Sequence, residues 1–317
     1  MIQKCTIQIL ANGYVQEPVI LEGVQWRTKR KGEPASLSFT CIKDENLSFP
    51  EGAEVIFRYG DKNVFSGYVF EKHRNKEHHI DVTCYDRTRY FKNKENYVFT
   101  GLRADQIITR MAMDLGIRVG HMTNTGHAIA KFAKSDTTFF DMIQDALDET
   151  TMATGIPYTL YDDYGTLCLK SMKEMYSDYL LDQDVAEDFD YTSSIDQNTY
   201  NQIVVKVDES DPVIVENTDS MKKWGLLQYV TDSKSAANAK AKADALLKMY
   251  NQVSRSLSVS GAFGDINVRA GSSIYLNLYL GDMTANQSML VDEVTHTFNE
   301  SEHLMDLTLI DGRGFYA

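Results

Sequence analysis

Five histidines, His73, His78, His79, His296 and His303, are the first candidates for chemistry, because imidazole binds metals and moves protons near neutral pH. His78 and His79 are adjacent in a strand-like run, so they point to opposite faces and cannot hold one ion together. His296 and His303 fall on facing arms of a predicted hairpin, and their spacing lacks the i, i+4 pattern by which a helix presents two histidines to zinc. All five read as exposed strand and turn residues. Carboxylates come next: Glu149, or the neighbours Asp162 and Asp163, could be paired as in a glycosidase. With 45 Asp and Glu in the chain, such pairs arise without meaning, and Asp162-Asp163-Tyr164-Gly165 reads as a hairpin turn. No nucleophile elbow, phosphate-binding loop or dinucleotide fingerprint follows a strand, and the pair Gly261 and Gly264 leads into another strand rather than a helix. Cys5, Cys41, Cys84 and Cys168 stand far apart with no C-x-x-C pair. No catalytic, cofactor-binding or metal-binding residue is assigned.

With chemistry so thin, the elements themselves carry the information. The 317 residues suffice for about two domains of ordinary size. The net charge of −13 argues against a sequence-independent grip on nucleic acid. That charge is localised: from 141 to 219 there are nineteen acids against Lys170, Lys173 and Lys206, leaving the rest of the chain slightly basic. The run Asp182, Asp184, Glu187, Asp188 and Asp190 is its densest part, read either as a solvated face or as a lumen or partner face. The start lacks the pattern of a signal peptide, and no run of about 18 apolar residues could span a membrane.

Residues 1–95 alternate apolar and polar positions, as in Cys5, Ile7, Ile9 and Leu37, Phe39, Cys41, with turn signals between the runs; they predict a first barrel-like β domain. Residues 96–180 change period and predict an α/β insert, with helices near 103–115 and 137–150, the second capped by Asp136, then a hairpin. Residues 181–317 predict a second barrel-like β domain carrying a helix at 235–250. The expected class is α+β, mainly β. Within it, 36–40 resembles 256–260, 51–55 resembles 270–274, and 78–86 resembles 303–311, in the same order at offsets of about 219 to 225. That order predicts two related β units.

One further run stands out: Trp224-Gly225-Leu226-Leu227-Gln228-Tyr229 places an indole beside a glycine before a strand, suggesting a turn under an aromatic core anchor. Together with the Ala/Lys-rich helix 236–248, Arg255-Ser256-Leu257-Ser258-Val259, Val268-Arg269-Ala270-Gly271-Ser272 and Val291-Asp292-Glu293-Val294-Thr295-His296, it resembles the baseplate hub protein of contractile phage tails of the PBSX prophage type. The resemblance implies a homotrimeric ring between the tail tube, or its initiator, and the central spike, with baseplate and tape-measure proteins around it. Three chains with two related units each would match sixfold and threefold partners. It implies packing or interface roles for Trp224, Gly225, Leu226, Gln228, Gly271, Asp292, Glu293 and His296. It also implies assembly in the bacterial cytoplasm into a virion or phage-tail-like particle, with no enzymatic activity. A cell-wall hydrolase and a host-surface carbohydrate-binding protein are the alternatives.

Overall fold

In the computed structural model, which describes residues 3–185, 187–196, 199–207, 210–233, 236–280 and 284–311, the N-terminal alternation becomes seven strands. They are β1 (Cys5–Ala11), β2 (Tyr14–Gln16), β3 (Val24–Lys29), β4 (Ser36–Ile42), β5 (Glu54–Tyr59), β6 (Lys62–Arg74) and β7 (His79–Tyr85). Every second residue points inward, so Ile7, Ile9, Leu37, Phe39, Cys41, Val55, Phe57, Val82 and Cys84 fill one core.

The insert has β8 (Lys94–Phe99), β9 (Leu102–Arg103), α1 (Ala104–Asp114), β10 (Val119–Met122), β11 (Ala128–Ile129), β12 (Phe132–Thr138), α2 (Phe139–Thr154), β13 (Tyr158–Asp162) and β14 (Leu167–Ser171). The two helices share a core because Ile107, Ile108 and Met111 of α1 and Ile143, Ala146 and Leu147 of α2 recur at helical spacing on facing sides. Asp136 does not cap α2. It lies within β12 with φ +49°, and the cap is Thr138, whose hydroxyl accepts the Asp141 amide at 3.1 Å.

The chain continues through β15 (Tyr176–Asp182), β16 (Asp188–Ser194), β17 (Gln202–Val207), β18 (Ser210–Glu216), α3 (Thr218–Trp224), β19 (Gln228–Ser233) and α4 (Ala236–Tyr250). It then forms β20 (Ser254–Phe263), β21 (Ser273–Tyr279), β22 (Thr284–Phe298) and β23 (His303–Asp311). Strand makes up 52% of the described residues against 19% helix, which sets the class as mainly β. Thirteen strands form one sheet, in the order β16-β20-β23-β22-β3-β4-β7-β6-β5-β1-β2, with β21 joining β22 to β15. The region expected as one second β domain is divided. β17, β18 and β19 form a separate three-stranded sheet, and α4 packs Ala239, Ala243 and Leu246 on Ile203 and Val205 of that sheet. Alternation identifies a strand but not the sheet it joins, which is why this division escapes a period-two reading.

The internal similarity is a similarity of pairing. β4 pairs β7, β7 pairs β6 and β6 pairs β5; in the same way β20 pairs β23, β23 pairs β22 and β22 pairs β21. Even the irregularities correspond. The ladder of β6 slips between Val69 and Glu71 and that of β22 between Val291 and Glu293. Gly52 donates to Val69 at 2.7 Å and Gly271 to Val291 at 2.8 Å, both glycines with positive φ, +82° and +92°.

Candidate functional site

The two β units meet along one antiparallel ladder, in which Glu293–Phe298 of β22 pair with Val24–Lys29 of β3. Main-chain bonds set the register, and side chains fix it on both faces. On the inner face Trp26 stacks on His296 with ring centroids 4.8 Å apart, and Phe298 packs against His303, Phe57 and Tyr59. On the other face Arg27 donates to Glu293 at 2.6 Å and Arg30 to Asp292 at 2.9 Å, while the Arg30 amide also donates to the Asp292 carbonyl. These ion pairs are partly solvated and contribute at most about 1 kcal/mol each, so the buried aromatic face carries most of the cohesion.

His296 is not exposed: it is fully buried, and His303 is half-buried. Its Nε2 lies 2.9 Å from the Val268 carbonyl, which can only accept, so Nε2 carries the proton. Nδ1 then accepts from His303 Nε2 at 2.9 Å. Burial first, then the neighbouring His303, pulls His296 down to about 3, and burial pulls His303 down to about 4. Both rings are neutral and structural in the physiological range, and neither is placed to take up a proton there.

The third element of the junction is the loop Val268–Ser272 between β20 and β21. Its Ala270 amide donates to Thr28 Oγ1 of β3 at 2.9 Å, and Arg269 Nη2 donates to the Asp162 carbonyl at 3.2 Å. The Arg269 guanidinium lies 3.9 Å from the centroid of the Tyr161 ring. Gly271 is pressed against the insert, where a Cβ would fall 2.5 Å from Thr159 Oγ1. One loop thus holds the first β unit, the insert and the second β unit together.

Beneath it lies a cavity of about 40 Å³, lined by Thr28, Asp86, Leu147, Tyr161, Asp162 and Arg269 among others. Burial raises both Asp86 and Asp162 above the usual carboxylate range, with Asp162 adding to the effect on Asp86. Asp162 also accepts the Gly165 amide through Oδ1, so the predicted turn is formed, while its Oδ2 meets no hydrogen-bond partner among the described residues. A buried carboxyl pair beside a guanidinium is the nearest approach to catalytic machinery. The space, however, admits a few water molecules and not a sugar ring.

The structure brings Gly271, Asp292, Glu293 and His296 together at this junction. Trp224, Gly225, Leu226 and Gln228 lie elsewhere. Trp224 ends α3 half-buried and belongs to none of the hydrophobic cores among the described residues, because α3 stops there and Leu226 is 56% exposed. The turn is instead fixed by Asn201, whose amide donates to the Gly225 carbonyl at 2.7 Å and whose Oδ1 accepts the Leu227 amide at 2.8 Å. Gln228 donates to Gln202 Oε1 at 2.6 Å. Asp182 closes β15 half-exposed, and Asp184, Glu187, Asp188 and Asp190 are exposed on the turn and on β16. Trp26, Thr28 and Thr159 carry no signal in the sequence pattern, and Arg269 is marked only by its place in the run Val268-Arg269-Ala270-Gly271-Ser272.

The chain is similar to known proteins over nearly its whole length. Protein XkdQ of the PBSX phage-like element of Bacillus subtilis is 30% identical over 310 residues, covering 94% of this chain and 93% of that one. The 43 kDa tail protein of prophage MuSo2 from Shewanella oneidensis superposes with a TM-score of 0.73 at 12% identity, covering 98% and 99% of the two chains. A tail protein from Neisseria meningitidis superposes with a TM-score of 0.70 at 11% identity, covering 98% of each. Fold and relatives define the class, proteins of phage-like elements with the fold of prophage tail proteins. Within it, the chain belongs to the YQBQ-like family, whose model matches residues 24–310.

Proposed function

We propose that the chain is the hub of a contractile-tail baseplate, acting by assembly and without a catalytic step. Three copies form a ring that joins the tail tube, or its initiator, to the central spike, with baseplate and tape-measure proteins around it. The observation that carries this reading is the repeated pairing order of β4-β7-β6-β5 and β20-β23-β22-β21. Two like units per chain give six like units per trimer, which suits a sixfold partner on one side and a threefold partner on the other. Residues 1–95 and strands β15, β16 and β20 to β23 are the proposed ring-forming parts. The insert and the sheet of β17, β18 and β19 are proposed as attachments to them. The acidic residues Asp182, Asp184, Glu187, Asp188 and Asp190 are proposed to face a partner inside the particle.

The expected result of removing this chain from the producing cell is loss of complete baseplates, seen by imaging the tails. Normal, complete baseplates in its absence would overturn the reading.

A further inference from the structure

The seam inside the chain has an open counterpart in the same chain. β22 runs beyond its ladder with β21, and the overhang Glu293–Phe298 takes β3. β6 is the counterpart of β22 and overhangs in the same way. Its ladder with β5 ends at Tyr68, while its ladder with β7 continues to Arg74. Glu71 pairs Thr83 and His73 pairs Asp81, as Glu293 pairs Thr308 and Thr295 pairs Asp306. Among the described residues, no strand pairs with the other edge of Glu71–Arg74.

The counterpart of β3 is β16. Arg27 pairs Ser36 at the start of β4, and Thr192 pairs Ser256 at the matching place in β20. β16 is the last strand at its end of the sheet and lies seven places from β6 in the strand order, so the two do not meet as neighbours within one chain.

We infer that β16 of one copy pairs antiparallel with the β6 overhang of the next copy, repeating between chains the seam that β3 and β22 make within one. This rests on the ring reading above and adds which two edges close the ring. The register follows from the internal seam: Glu293 opposite Lys29 becomes Glu71 opposite Ser194, and Thr295 opposite Arg27 becomes His73 opposite Thr192. Charge bears on which edges can meet. β16 and its approach carry exposed Glu187, Asp188 and Asp190 and no basic residue, whereas the overhang and the turn after it mix Lys72, Arg74 and Lys76 with Glu71 and Glu77. Two acidic edges repel each other, so β16 is disfavoured from pairing with another β16 and left for an edge of mixed charge. The acidic run thereby acquires a partner of definite chemistry, a second copy of this chain.

The test is a chain carrying both His73→Cys and Thr192→Cys, incorporated into tail particles and oxidised. Each chain supplies one cysteine to each neighbour, so a closed ring appears as a covalent trimer on a denaturing gel without reductant, while either single variant stays monomeric. Particles that show the ring of three copies by imaging but give no such product would overturn the strand pairing and leave the hub reading standing. Particles that contain the chain but no ring of copies would overturn the hub reading itself. If the cysteines block assembly, the next opposed pair, Glu71→Cys with Ser194→Cys, decides. It is expected to give the same covalent trimer on oxidation. Rings of three copies that give no covalent trimer with this pair either would overturn the pairing.

Discussion

Replacing Gly271 with alanine is expected to cost about 3 kcal/mol or more, whereas the same change at Gly52 is expected to cost only about 1 kcal/mol. The two glycines hold corresponding places in the duplicated β units and have nearly the same backbone, with φ of +92° and +82° and matching hydrogen bonds to Val291 and Val69. Backbone strain is therefore common to both variants. Their surroundings differ: a Cβ at Gly52 meets nothing within 4 Å, while at Gly271 it meets Thr159 Oγ1 at 2.5 Å and Cγ2 at 2.6 Å. Thr159 sits on β13 of the insert, between Tyr158 and Leu160 on a strand paired with β14, so it cannot retreat without moving the hairpin. Thr159→Ala removes both atoms and should recover part of the loss at Gly271 and none at Gly52, a coupling readable from denaturant midpoints. Equal costs at the two glycines would mean that the loop does not clamp the insert as described.

The second large effect concerns acid. His296 and His303 are held neutral, at about 3 and about 4, below the ordinary histidine value of 6.5. The unfolded chain takes up protons there that the folded chain refuses, so their contribution is complete above pH 6.5 and is lost as the pH falls toward 4. Between pH 7 and pH 5 the fully buried His296 alone should cost about 2 kcal/mol, with less from the partly solvated His303. Asp86 and Asp162 act in the opposite sense: their raised values mean that the folded chain binds protons more readily, which adds stability as the pH falls from neutrality. A comparison of wild type with His296→Gln separates the two effects, since both proteins keep the carboxyl pair. The variant should be less stable at pH 7, through loss of the stack on Trp26, yet lose less on going to pH 5. Parallel pH profiles would show that His296 is not a buried neutral group.

Much of this fold was legible because duplication leaves a register as well as a composition. The similarities at offsets of 219 to 225 pick out β4 with β20, the turn into β5 with that into β21, and β7 with β23. Those are the strands whose pairings repeat. The class followed from period-two runs with buried alternate residues. What stayed hidden depended on long-range contacts. Ile203, Val205 and Val207 alternate as well as Leu276 and Leu278 do, yet they join a different sheet, beneath α4. His296 looked like a surface strand residue because histidine is seldom fully buried; its burial depends on a ring face from Trp26 and an acceptor from Val268, both distant in the chain, and on a donor from His303 across its own hairpin. Half of the motif residues, Gly271, Asp292, Glu293 and His296, converge at the junction. Trp224, Gly225, Leu226 and Gln228 lie elsewhere, because a glycine after an indole specifies a helix end and says nothing about what that end touches.

The central claim is that the two β units of one chain are equivalent parts of a larger ring. A three-dimensional image of the assembled tail end, made without imposed symmetry and at a resolution that separates strands, tests it most directly. The account predicts three copies of this chain around the axis, with six β units alternating between the two kinds at nearly equal spacing. One copy per particle, or copies whose first and second β units lie at different heights and radii so that no sixfold arrangement results, would contradict it.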